Sequence, residues 1–174
     1  MFSTEKVTKL DAAERLLSEA INLFFEQRNM IAVHALASAA FQVLADLGAR
    51  QGFVNCLRDN VMICADRRKE WVELLNRAQN FFKHADRDPH SQLEFSPNLT
   101  PLFISEAIHL QYKISGNQPK TSTTFQMWFI SAYADLLNDS AKSTVMQTPA
   151  LRNLAEQGNA FKGNFELYLE LLRE

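Results

Sequence analysis

From Met30 to Leu47 the chain is apolar at every position but four, and the four exceptions, His34, Ser38, Gln42 and Asp46, are spaced four residues apart. That interval keeps side chains on one side of an α-helix, so the segment reads as a helix with one narrow polar stripe. The run is long enough to raise the question of a membrane span. Its Ala-rich composition and its polar stripe fit better with the central helix of a bundle, packed over most of its circumference. His34, Ser38 and Gln42 are then expected to be buried and to have hydrogen-bond partners.

A central helix needs neighbours, and the rest of the sequence supplies them. With 174 residues, 47% of them hydrophobic, the chain is long enough for one sizeable core and too short to need two. Five glycines are few for a protein built on tight turns. The expectation is an all-α fold, a single-domain antiparallel bundle of about five to seven helices spanning residues 1–174.

Leu10 to Gln27 repeats Ala13, Leu16, Leu17, Ala20, Ile21 and Phe24 on one face, and Asp11 with Glu14 suggests an N-terminal cap. Asn29 is placed to cap the second helix and Gly48 to end it, giving a helical hairpin over residues 10–47. A third helical region covers Val54 to His84 with a break near Asp66 to Lys69, and a loop follows, giving a motif helix and loop over 54–100. Thr100-Pro101 starts a fourth helix that ends near Gly116. Phe125 to Asn138 reads as the fifth. Thr148-Pro149 starts a further segment, and Phe165 to Leu172 closes the chain with Leu167, Tyr168, Leu171 and Leu172 on an apolar face. Gly158 and Gly163 are possible interruptions before it.

Charge narrows the functional classes. A formal net charge of −2 gives no global field to attract a polyanion, so any nucleic-acid contact must be local. Cys56 and Cys64 would lie about 12 Å apart along a regular helix, too far to pair, and no CxxC or neighbouring His pair suggests zinc. Met1-Phe2-Ser3-Thr4-Glu5-Lys6 is polar where a secretory signal has an apolar run. The expectation is a cytoplasmic protein with reduced thiols and no membrane partner.

The segment from Arg77 to His90 holds the most suggestive chemistry, because Arg77, Lys83, His84, Asp86, Arg87, Asp88 and His90 crowd the end of one helix and the loop after it. On a helix from Glu70 to His84, the residues Glu70, Glu73, Arg77, Asn80 and His84 form a continuous polar stripe. Trp71, Leu74, Leu75, Ala78 and Phe82 form the apolar face beside it. Arginine offers a fork of donors that fits a phosphate, and histidine moves a proton near neutrality. Together they suit metal-independent phosphodiester cleavage, with His84 as proton carrier and Arg77 stabilising the transition state. Asn80, Lys83 and Asp86 would be supporting residues, and no cofactor is required. The plainer alternative has Arg77 paired with Glu73 on the helix surface, and Lys83 with His84 favouring the helix C-terminus through the dipole.

Arg77 and His84, with six residues between them, resemble the Arg-x4–6-His signature of the HEPN superfamily, all-helical proteins that include metal-independent endoribonucleases. The resemblance is confined to residues 1–90. It implies an RNA substrate, cleavage through the 2′-hydroxyl, and a cleft completed by a second subunit, hence a homodimer. Two features depart from the family pattern: Ala78 follows the arginine, where a polar residue is common, and about half the chain follows the motif. The run Asn80-Phe81-Phe82-Lys83-His84-Ala85-Asp86-Arg87-Asp88-Pro89 also resembles a segment of small bacterial helical proteins, which implies no activity.

Two other readings use the same residues. His84, Asp86, Asp88 and His90 alternate, so in this reading a turning loop directs several of them, with His34, at one divalent cation. Facing-helix metal sites usually carry Glu-x-x-His, which is missing here. In the third reading the chain is a non-catalytic bundle that dimerises or docks a partner through an apolar strip. Trp71, Trp128, Tyr133 and the pairs Phe24-Phe25 and Phe81-Phe82 read as core or interface aromatics, since no basic residues interleave with them. GxSxG, P-loop and GxGxxG motifs are absent.

Overall fold

Thr8 opens the first helix. Its hydroxyl accepts the Asp11 N–H at 3.1 Å while the Asp11 carboxylate accepts the Thr8 N–H at 3.1 Å, a reciprocal cap. Helix α1 therefore runs Lys9–Phe25, and Asp11 lies inside its first turn instead of preceding it. Asn29 caps α2, Met30–Arg50, by accepting the Ile31 N–H at 2.9 Å. Gly48 does not end this helix. It lies within it, where a Cβ would stand 3.3 Å from Leu110 Cδ2, so its role is to let α2 approach the fourth helix closely.

The structure, a computed structural model, describes residues 3–61, 63–86, 88–133 and 165–173, with isolated positions at 139, 143 and 147. Among the described residues there are six α-helices and no strand, an all-α single-domain bundle. Helix α3 spans Arg68–Lys83, α4 Thr100–Ser115, α5 Lys120–Ala132 and α6 Phe165–Arg173. The features expected at Asn138, Thr148-Pro149, Gly158 and Gly163 lie outside the described residues.

Helix α2 packs chiefly between α1 and α4. Val33, Ala37, Ala40, Phe41 and Leu44 meet Leu17, Ala20 and Ile21 of α1 and Phe103, Ile104 and Ala107 of α4 in one core. By length and hydropathy this is the one described helix that could cross a membrane, and 44% of its apolar window is buried inside the bundle. His34 and Ser38 are buried, as the stripe implied; Gln42 is half-buried and Asp46 exposed, so the stripe emerges into solvent toward its C-terminal end. His34 Nδ1 lies 3.0 Å from Thr100 Oγ1, the Ser38 hydroxyl donates to the Ala35 carbonyl, and Gln42 donates to Asp46 at 2.9 Å.

The third helical region is shorter than its sequence suggested. The described residues between 54 and 64 form turns and bends and no helix, and α3 follows a 3-10 turn at Ala65–Arg67. Asn55 explains part of the difference: its side chain accepts the Leu57 and Arg58 N–H groups at 3.1 and 2.9 Å, competing with a helical ladder. Glu106 of α4 accepts the Cys56 N–H at 2.7 Å and ties the turn to the core, and burial raises its carboxyl above the usual range. Cys56 and Cys64 are free and exposed. Arg58 donates to Gln42 and lies over the Phe41 ring, 5.1 Å from its centroid.

Helix α4 starts at Thr100-Pro101 as expected and stops at Gly116, whose φ of 69° suits glycine. Helix α5 begins at Lys120 behind Pro119, five residues before Phe125. Its polar opening turn hides the start in the sequence, yet Ser122 is buried and donates to Gln111 of α4 at 3.0 Å. At the far end of the bundle Phe24, Phe25, Phe125, Trp128, Phe165 and Tyr168 interlock, with Tyr168 stacked on Phe25 at 5.1 Å. The side chains of Leu167 and Leu171 lie outside the described residues.

Two outcomes follow. Phe41→Ala removes a ring that is 1% exposed and packed on Phe103, so chemical denaturation should show a loss of about 3–5 kcal/mol. Burial also lowers the pKa of His34 below the ordinary 6.5. The unfolded chain then binds more protons on acidification. The stability tied to neutral His34 is complete above pH 6.5 and is lost as pH falls below it. Melting curves of wild type and His34→Phe should show a shallower pH dependence in the variant between pH 7 and 5.

Candidate functional site

Helix α3 lies at the edge of the bundle, and only Leu75 and Gln79 are buried on it. Trp71 and Phe82 are half-buried, the former donating its indole N–H to the Leu57 carbonyl at 2.8 Å. Leu74 faces the other way and is 51% exposed, so it does not belong to the buried face expected for it. The reason is the peripheral position: a helix that touches the core along one narrow strip leaves its remaining apolar residues uncovered.

The uncovered face forms one wall of an open cleft of about 830 Å³. Glu70, Glu73, Leu74, Arg77, Asn80 and Phe81 line it from α3. The chain then turns back across the helix end, and His84, Asp86, Asp88, Ser91, Gln92 and Leu93 form the opposite wall. The whole expected stripe from Glu70 to His84 therefore reaches a single concavity.

Within the cleft the side chains are solvated. Arg77, Asn80, His84, Asp86 and Asp88 are exposed. His84 Nδ1 stands 4.0 Å from the Asp86 carboxylate, beyond hydrogen-bond reach, with 61% and 72% of the two side chains exposed. The expected Arg77–Glu73 pair is not formed; Glu73 faces Lys69 at 3.9 Å instead, and no ion pair engages Arg77 among the described residues. Glu70 is bound by Arg67 at 2.5 Å. Lys83 is exposed at the last turn of α3 and is not part of the lining.

The alternative metal set is not brought together. His34 is buried against Thr100 and the rings of Phe82, Phe95 and Phe103, whereas His84, Asp86 and Asp88 lie on the cleft and His90 is exposed outside its lining. Among the described residues no three His, Cys, Asp or Glu side chains converge as a metal would need. The cause is the phase of α2, which turns His34 inward.

Sequence reasoning missed Leu74, Phe81, Ser91, Gln92 and Leu93 as lining residues. Glu70, Leu74, Arg77, Phe81 and His84 alternate by four and three positions, so Leu74 and Phe81 share the stripe's side of α3. Ser91 to Leu93 carry no such signal, because the loop's path sets their place. Phe81 and Phe82 separate for the same geometric reason, one toward the cleft and one toward His34.

Comparison with family models, with curated proteins and with solved structures found no match to this chain.

The exposure of His84 sets a stability expectation. His84→Ala should move the unfolding free energy by no more than about 0.5 kcal/mol, since no buried contact or hydrogen bond of its side chain is lost. Thermal melts followed by circular dichroism check this, and a large drop would place His84 in the framework of the fold.

Proposed function

We propose that this protein is a docking module, a cytoplasmic helical bundle that holds a segment of another protein in the α3 cleft. The observation that carries this reading is the composition of the lining. Among the described lining residues, Leu74, Phe81 and Leu93 offer apolar surface inside the concavity, and the carboxylates of Glu70, Glu73, Asp86 and Asp88 outnumber the guanidinium of Arg77. A polyanion entering such a cleft meets mostly like charge, whereas a polypeptide can use the apolar patch and the polar rim together. A photo-crosslinking residue at Gln92, on the cleft wall, should yield one defined protein adduct in the cells that make the protein. The same residue at Val61, which is 94% exposed and not part of the cleft lining, should not. Equal labelling at both positions, or no adduct at either, sinks the docking reading.

A second reading has its own supporting observation: Arg77, free of any ion pair among the described residues, shares the cleft with Asn80 and His84. That grouping suits the metal-independent RNA cleavage implied by the HEPN resemblance, with His84 moving the proton and Arg77 stabilising the charge that develops on the phosphoryl oxygens. A second copy would complete the cleft. Purified protein should then cleave single-stranded RNA in EDTA and leave a 2′,3′-cyclic phosphate. His84→Ala should slow cleavage by roughly 10²–10⁴-fold. Light scattering should report a dimer at micromolar concentration. Intact RNA with wild-type protein rules this second reading out.

A further inference from the structure

We infer that the segment held in the α3 cleft is cationic and carries an apolar anchor, basic side chains meeting Glu73, Asp86 and Asp88 while a Leu- or Phe-sized side chain fills the patch of Leu74, Phe81 and Leu93. This rests on the docking reading and adds the chemistry of the partner. The carboxylates differ in what already satisfies them. Glu70 is held by Arg67 at 2.5 Å, so it is the least available. Glu73 meets Lys69 only at 3.9 Å, and the two side chains are 67% and 89% exposed, a contact that competes weakly with an incoming base. Among the described residues Asp86 has an ion-pair contact only with His84, at 4.0 Å, which attracts it only when protonated. Asp88 has no ion pair among the described residues. Negative charge gathered in a concavity focuses its field on the opening and favours a cation there.

Position supplies the rest of the specificity. Leu74 lies one helical turn from both Glu70 and Arg77, and Phe81 one turn beyond Arg77, so apolar and charged groups alternate along the α3 wall. Arg77 in the middle of that wall disfavours an unbroken basic tract. A segment whose basic residues are spaced by an apolar one places its hydrocarbon against Leu74 and its charge against the carboxylates. Leu74, 51% exposed, shares the cleft lining with Phe81 and Leu93, so a segment entering the cleft meets several apolar side chains in one concavity.

The test uses full-length protein and three fluorescein-labelled peptides of equal length in which leucine alternates with arginine, glutamine or glutamate. Fluorescence polarisation should show saturable binding of the arginine–leucine peptide, weakened by added salt. Combining Glu73→Gln, Asp86→Asn and Asp88→Asn should raise its Kd by about tenfold, the sum of several weak exposed pairs. Leu74→Ser should weaken it as well, and melting curves of each variant confirm that the fold is retained. Equal binding of the glutamine peptide, or preference for the glutamate peptide, overturns the cationic assignment but leaves docking standing. If no peptide binds while the Gln92 crosslink still yields a protein adduct, the inference fails and the docking reading survives. If single-stranded RNA displaces the arginine peptide from the cleft and is itself bound more tightly, both fail.

Discussion

Everything in this fold depends on covering α2. A helix with apolar side chains at nearly every position has little face to give to water, and α1 and α4 bury Val33, Ala37, Ala40, Phe41 and Leu44 between them, leaving Ile31 near one end and Asp46 toward the other exposed. Burial on that scale is the main favourable contribution in a domain of this size. It also fixes rotation: His34 is tolerated inside only because Thr100 stands 3.0 Å from its Nδ1 at the start of α4. Among the described residues its Nε2 has no hydrogen-bond partner, and the rings of Phe82, Phe95 and Phe103 pack around the imidazole.

Elements whose ends carry a local signal were legible in the sequence. Asn29 as the cap of α2, Thr100-Pro101 and Gly116 around α4, and the closing helix from Phe165 stand where residue chemistry alone places them. The misplacements share a cause: a nonlocal partner changed the local rule. Gly48 lies inside α2, where a Cβ would stand 3.3 Å from Leu110 Cδ2, and the polar Thr121-Ser122-Thr123-Thr124 turn is helical with Gln111 accepting from Ser122. The turns after Val54 form because Glu106, fifty residues away, takes the Cys56 N–H. None of these partners is visible from sequence periodicity.

The candidate site was half legible. The helical stripe of Glu70, Glu73, Arg77, Asn80 and His84 does reach one cleft, since four- and three-residue steps keep side chains together wherever the helix packs. The second wall could not be read, because it depends on the route of a loop rich in polar residues. The role of Leu74 was also hidden: periodicity marks a residue as apolar without saying whether a neighbour exists to cover it. Helix α3 meets the bundle along a strip so narrow that Gln79, not Leu74, is the residue it buries beside Leu75.

The cleft and the core are nevertheless one construction. Phe82, beside the cleft residue Phe81 on α3, packs 6.1 Å from the His34 ring, and Phe95, just past the far wall, packs 5.4 Å from the same ring. Phe82 and Phe95 also meet each other at 5.4 Å. Both walls of a solvated surface site are thus hung on one buried side chain of the central helix, through rings that hold shape without hydrogen bonds. The exposed residues that line the cleft are free to vary its chemistry because they carry little of the fold. Its width is set from beneath, by the packing around His34, so the arrangement separates what the cleft recognises from what keeps it open.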